Sequence, residues 1–279
     1  MKLGVNCHQC LEQLVCQAAE IATSSPELRE RAREEGIGIL NRLFSYDRTA
    51  PEIANEIHRA LRRVTDNSDP YRLMKDRELE LSQCLFKEIR PRYGDDFRSC
   101  IELSALGNTI DFFKEPEKVS EDMRKPVAFA IDHIDEFEKK LGSARKVLYL
   151  ADNAGECFFD LPLIEKMREM AQVIYVVKGS PVQNDITLED LSKAGLMEKF
   201  GEVMTSGTDT VGVDFSSASE EFKTQFEQAD LIFAKGMGHY ETLSELPVYG
   251  KIIYCSMAKC QTIADSLKVT LNSYVAMLQ

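Results

Sequence analysis

Leu11, Leu14, Val15, Ala18, Ala19 and Ala22 recur at three- and four-residue spacing, which lays one apolar stripe along a helix. Ser24-Ser25-Pro26-Glu27 then marks a stop and a restart, with Ser25 as N-cap and Pro26 at the first helical position. The same alternation of apolar and charged positions predicts helices over 27–44, from Thr49-Ala50-Pro51-Glu52 onward, and over 71–90, 96–106 and 117–140. After Leu141-Gly142-Ser143 the pattern changes. Lys146 to Ala151, Gln172 to Val177, Asp230 to Ala234 and Lys251 to Cys255 are short continuous apolar runs rich in Val, Ile and Tyr, as expected of strands covered on both faces. A short strand at Glu202 to Thr205 is expected to join them, and helical stretches at 158–170, 187–199 and 219–228 separate them. The expectation is an α/β fold: a Rossmann-like, mostly parallel sheet flanked by helices over 143–279, preceded by an all-helical subdomain over 1–142.

Composition narrows the partners. Hydrophobic residues make up 44% of the 279 and charged residues 29%, the balance of a folded, water-soluble chain. The net charge of −12 argues against nucleic acid or anionic lipid as a partner, while a metal ion and local lysines can still reverse the field in one cleft. No apolar run approaches a membrane span and no leader pattern opens the chain, so a cytoplasmic location and no membrane partner are expected. The eight cysteines do not imply a disulfide framework in that setting. For Cys7-x-x-Cys10 three readings stay open: structural thiols, a disulfide or redox pair, or a metal site.

Candidate chemistry follows from the sheet. Ligands of an open parallel sheet bind beyond the carboxyl ends of its strands. The first apolar run leads into Asp152-Asn153-Ala154-Gly155-Glu156, the second into Lys178-Gly179-Ser180-Pro181 and then Asn184-Asp185, and a later one into Lys235-Gly236-Met237-Gly238-His239. All three clusters should meet at one sheet edge. Asp152, Asn153 and Asp185 are a hard oxygen set suited to a divalent cation, Lys235 is a point charge suited to a phosphate oxygen, and Gly155 would let backbone N–H groups face an anion. Taken alone, Asp152-Asn153 reads equally as a helix cap; Asp185 and Lys235 at neighbouring strand ends favour the ligand role. The chain has no GxxxxGK[ST] phosphate loop, Gly236-Met237-Gly238 lacks the third glycine of a dinucleotide fingerprint, and Ala154 stands where a haloacid dehalogenase pattern wants a second Asp.

Asp152-Asn153-x-Gly155-Glu156, Asn184-Asp185 and Lys235-Gly236-x-Gly238, in that order, together with Gly107-Asn108-x-x-Asp111 in the helical half, resemble the metal-dependent damage-control phosphatases, also known as domain of unknown function 89. Cys7-x-x-Cys10 resembles the short, stand-alone microbial branch. The resemblance implies hydrolysis of phosphate monoesters of small metabolites, sugar phosphates or damaged ones, as substrate partners. It implies a divalent cofactor (manganese, magnesium, cobalt or nickel) on Asp152, Asn153 and Asp185. It puts Lys235 on the phosphate and Asn108, Asp111 and Glu156 near the substrate, Glu156 either orienting a water or capping its own helix. Two other classes remain in view: a nucleotide- or cofactor-binding transferase of small molecules, and a non-catalytic metal or thiol regulatory module.

Overall fold

A computed structural model describes residues 1–110 and 116–279. The helices of the first half run α1 (Cys7–Ala22), α2 (Pro26–Leu43), α3 (Ala50–Thr65), α4 (Arg72–Ile89), α5 (Phe97–Gly107) and α6 (Pro116–Met123). Their boundaries follow the polar signals. Ser25 accepts the N–H of Leu28 with Pro26 opening α2, and Thr49 and Glu52 form a reciprocal capping box on α3. The stretch expected to be one helix over 117–140 is divided: after α6 the chain forms strand β1 (Phe129–Asp132) and then α7 (Ile134–Leu141). A strand of the sheet thus precedes residue 143.

Strands β2 (Lys146–Leu150), β3 (Gln172–Val177), β4 (Glu202–Thr205), β5 (Leu231–Lys235), β6 (Ile252–Met257) and β7 (Tyr274–Leu278) complete the sheet. Helices α8 (Cys157–Arg168), α9 (Leu188–Lys193), α10 (Met197–Phe200), α11 (Glu220–Gln228), α12 (Gly236–Leu243) and α13 (Gln261–Leu267) lie between them. Gly195, at φ +68°, breaks the helix expected over 187–199 into α9 and α10. The strand order is β1-β7-β6-β5-β2-β3-β4, parallel throughout except for β6 against β7.

Burial explains why the central strands read as unbroken apolar runs. Val147 and Tyr149 of β2, with Val173, Tyr175, Leu231 and Phe233, face a core completed by α4, α5, α7 and α8. Leu148 and Leu150, with Ile174, Val176, Ile232 and Tyr254, face the opposite core beneath α11, α12 and α13. Helices α1–α3 close a third cluster of their own around Leu11, Val15, Leu40, Ile53 and Ile57. From β2 the chain steps outward through β3 and β4, then returns to place β5 on the other side of β2. That reversal opens a crevice at the carboxyl end of β2, the position where doubly wound sheets bind ligands.

Candidate functional site

The loop leaving β2 is pinned to the loop that follows β3. Ile186 N–H donates to the Asp152 carbonyl at 2.9 Å, Ala154 N–H donates to the Asn184 carbonyl at 2.8 Å, and Asn153 bridges to Asp185 as an isolated antiparallel pair. This backbone pairing, invisible in the separate motifs, brings Asp152, Asn153 and Asp185 to the wall of one cleft of about 310 Å³. Asn108, Gln183 and Lys259 line it beside them. Leu11 and Leu14 of α1, Pro51 and Ala54 of α3, and Met237 and Ile263 form its apolar side.

Asn108 ties the floor together. Its Nδ2 donates to Asp152 Oδ2 at 3.2 Å and to Glu156 Oε1 at 2.9 Å, while its Oδ1 accepts Met257 N–H at 3.0 Å. Asn153 Nδ2 donates to Glu156 Oε1 at 2.8 Å. Gly236, at φ +75°, closes in from β5. A Cβ there would stand 1.9 Å from Asp152 Oδ2, so only a glycine leaves room for that carboxylate.

The electrostatics show a surplus of negative charge. Burial, then Glu156 and Asp185, push the Asp152 carboxyl well above the ordinary carboxylate range. Burial lifts Asp185 to about 6 despite Lys178 beside it. Asp185 Oδ2 is buried without a hydrogen-bond donor, its nearest cation being Lys178 Nζ at 3.3 Å. Among the described residues no three His, Cys, Asp or Glu side chains converge as a ready ligand set. The donors on offer are two carboxylates and an amide, a hard oxygen set whose unbalanced charge fits a divalent cation completed by water or substrate oxygens.

Two expected roles meet a different geometry. Lys235 does not line the cleft: it is fully buried, 2.9 Å from Glu156 Oε2 and 3.0 Å from Asp160 Oδ1, and it donates to the Ser104 carbonyl and hydroxyl. Burial alone would depress its ammonium; Asp160 and Glu156 outweigh that and hold it above the ordinary range. Glu156, itself fully buried, stays below the usual carboxylate range because Lys235 and Lys259 overcome the cost of burial. The Gly155 N–H, expected to face an anion, donates instead to Glu78 Oε1 at 3.2 Å, and a Cβ on Gly155 would meet Ser82 Oγ at 2.3 Å. Asp111 lies outside the described residues.

Sequence reasoning missed Glu78, Asp160 and Lys259. Glu78 is buried on α4 and holds both loops, taking Gly155 N–H on one oxygen and Asn184 Nδ2 at 3.1 Å on the other. Its signal was present: Lys75, Glu78 and Ser82 occupy core positions of an otherwise apolar stripe. Asp160 stands one helical turn after Glu156, on the same helix face. Lys259 follows the end of β6, where the strand-end rule applies as much as at β2. Cys10 and Cys260 line the cleft, Cys7 Sγ accepts the Gly4 N–H at 3.2 Å, and all eight cysteines are free thiols.

A doubly wound sheet with carboxylates, an amide and lysines gathered at its switch point defines a class, the open α/β proteins that bind small ligands beyond their strand ends. Within it, the chain belongs to the damage-control phosphatase ARMT1-like domain family, whose profile matches residues 4–275. It is similar to a damage-control phosphatase of Pyrococcus horikoshii, 35% identical over 99% of this chain and 98% of that one. It is also similar to a damage-control phosphatase of Archaeoglobus fulgidus, 31% identical over 99% of both. The crystal structure of a DUF89 family protein from Pyrococcus horikoshii superposes with a TM-score of 0.91 at 34% identity, covering 100% of this chain and 99% of that chain. Among the described residues no helix is long and apolar enough to cross a membrane.

Proposed function

We propose that the chain is a divalent-metal-dependent phosphatase that hydrolyses phosphate monoesters of small, including damaged, metabolites. Membership of the phosphatase family supports the reaction class. The observation that carries the metal is the convergence of Asp152, Asn153 and Asp185 on one cleft with carboxylate charge left unbalanced. Those three side chains would hold the ion, and manganese, magnesium, cobalt and nickel all accept such oxygen donors. A bound divalent ion would polarise a phosphate oxygen and lower the pKa of a bound water.

The rest is done by the chain itself. Asn108 holds the Asp152 carboxylate, and through Met257 it fixes the loop that carries Lys259. Glu156 is a positioning residue: it anchors the amides of Asn108 and Asn153 and is itself anchored by Lys235. Glu78 fixes the separation of the two loops that supply the proposed ligands. The apolar side formed by α1 and α3 excludes water from the non-phosphate part of a substrate.

The test is a panel of sugar phosphates, nucleotides and p-nitrophenyl phosphate, run with each of the four metals and with chelator. Phosphate release that needs added metal and is lost in Asp152→Asn and Asp185→Asn is expected. Release that survives chelation, or that persists undiminished in both variants, would overturn the assignment.

A further inference from the structure

We propose that Cys10 and Cys260 are an oxidisable pair, joined through exchange with a small-molecule disulfide into a cross-link that fastens α1 to the loop after β6 across the candidate cleft. The pair goes beyond the phosphatase reading and does not depend on it; only its effect on turnover does. Spacing leaves Cys7-x-x-Cys10 open between structural thiols, a redox pair and a metal site. The fold brings in a third thiol. Cys10, in the first turn of α1, and Cys260, the residue that caps α13, line one cleft from opposite ends of the chain. Cys10 is exposed and Cys260 half-buried, so a small molecule entering the cleft meets Cys10 first.

The two segments are packed tightly beside these thiols. Cys7 Sγ stands 3.6 Å from Thr262 Oγ1, two residues beyond Cys260, and a Cβ on Gly4 would stand 2.7 Å from Thr262 Cγ2. Cys7 is committed at that contact, where it also accepts the Gly4 N–H at 3.2 Å. Cys10 follows close to one helical turn later, on the same face. Desolvation first, then the charges of Cys7 and Glu241, hold the Cys10 thiol above its ordinary range. At Cys260 desolvation is joined by Glu241, Cys10 and Cys7, against the N–H of Ile263. Three thiols and a carboxylate thus crowd one end of the cleft, and a disulfide, being neutral, removes the repulsion between two of them.

The exchange balances with the small disulfide R–S–S–R as the oxidant. The Cys10 thiolate attacks one of its sulfurs, forming Cys10–S–S–R and releasing one RS⁻, which takes up the proton that Cys10 lost. The Cys260 thiolate then attacks the Cys10 sulfur and releases the second RS⁻, which takes up the proton of Cys260. Two protein thiols are oxidised and one disulfide is reduced to two thiols. The new bond would join elements that pack into different cores, since α1 closes on α2 and α3 while Cys260 lies against the cluster beneath α11, α12 and α13. The wall of α1 that carries Leu11 and Leu14 would be tied to the opposite side of the cleft, next to Lys259, and could no longer give way to a substrate. A Cys7–Cys10 disulfide, within one turn of α1, would tie nothing to anything else.

The experiment treats the reduced full chain, held in chelator, with oxidised glutathione and then removes the oxidant. Disulfide-linked peptides are mapped by mass spectrometry without reduction, and kcat/KM is measured on the best substrate of the panel with metal restored. Wild type should yield a peptide joining Cys10 to Cys260. Its kcat/KM should fall roughly ten-fold or more in proportion to the linked fraction, because displacements of about 1 Å near a site are costly to turnover. A thiol reductant should restore it. Cys260→Ser should stop at a glutathionyl group on Cys10, and Cys7→Ser should cross-link as wild type does. Absence of the Cys10–Cys260 peptide, or a peptide joining Cys7 to Cys10 in its place, overturns the pair. A cross-linked chain that turns over as fast as the reduced one overturns the closure of the cleft. A wild type that forms the cross-link but hydrolyses no monoester in either state overturns the phosphatase reading and upholds the pair.

Discussion

Replacing Lys235 with methionine tests whether this lysine belongs to the fold or to the substrate. Methionine keeps the length and apolar stem of lysine but removes the ammonium that lies 2.9 Å from Glu156 and 3.0 Å from Asp160. All three side chains are fully buried, so both carboxylates would lose their compensating charge with no water to replace it. Breaking one partner out of a buried ion pair costs about 3–5 kcal/mol. For a chain of this size each kcal/mol lowers the melting temperature by roughly 2 °C, so a fall of about 6–10 °C is expected. A companion variant sharpens the test. Lys235→Met combined with Glu156→Gln and Asp160→Asn leaves no buried charge in the cluster and should regain much of the lost stability, since a neutral set of similar shape often matches an ion pair. Urea and thermal unfolding by circular dichroism measure both. A single variant melting within about 1 °C of wild type, yet devoid of phosphatase activity, would refute the structural role and return Lys235 to the phosphate.

Two further outcomes follow from the geometry. Gly236→Ala would put a methyl group 1.9 Å from Asp152 Oδ2 and force a left-handed backbone on an L-residue, so metal binding measured by calorimetry should fall at least ten-fold, and unchanged binding would show that the loop yields freely. His58 is buried beside Arg62 with its Nε2 2.9 Å from Gln183 Nε2, and burial first, then Arg62, lower its pKa to about 4. An unfolded chain binds that proton near pH 6.5 and the folded one does not, so stability is complete above about pH 6.5 and is lost as pH falls toward 4, by about 3 kcal/mol. Urea midpoints across that range should fall less steeply in His58→Gln; equal slopes would refute the assignment.

Much of this architecture is legible in residue pattern. Strands β2, β3, β5 and β6 announce themselves because both faces of each are covered, so every position must be apolar. β1 is illegible for the opposite reason. It is an edge strand of four residues whose alternately half-buried and exposed positions merge with the helical pattern around it. β7 owes its place to pairing with β6 and with β1, which is distant in sequence, and the pairing rather than its own residue pattern sets its register. At the site, Asp152, Asn153 and Asp185 follow from the strand-end rule, which depends only on sheet topology. The fate of Lys235 does not. It is decided by Ser104, 131 positions away on α5, and by Asp160 on the helix after β2. A strand-end lysine looks the same in sequence whether it faces the cleft or the core.

Glu78 sets a rule for which replacements this family member tolerates. One of its oxygens is bound by a main-chain N–H, which among substitutions at Gly155 only proline would remove, and the other by the Asn184 side chain, which can turn over. Glutamine at 78 keeps the first bond, and a half-turn of the Asn184 amide presents its oxygen to the new Nε2, so Glu78→Gln passes at little cost. Aspartate is one methylene too short to span both loops, and alanine leaves both donors buried and unanswered. Drift at 78 is therefore confined to two amino acids unless position 184 changes with it. The spacing of the two loops that follow β2 and β3 is inherited as a pair of linked positions rather than as a single residue.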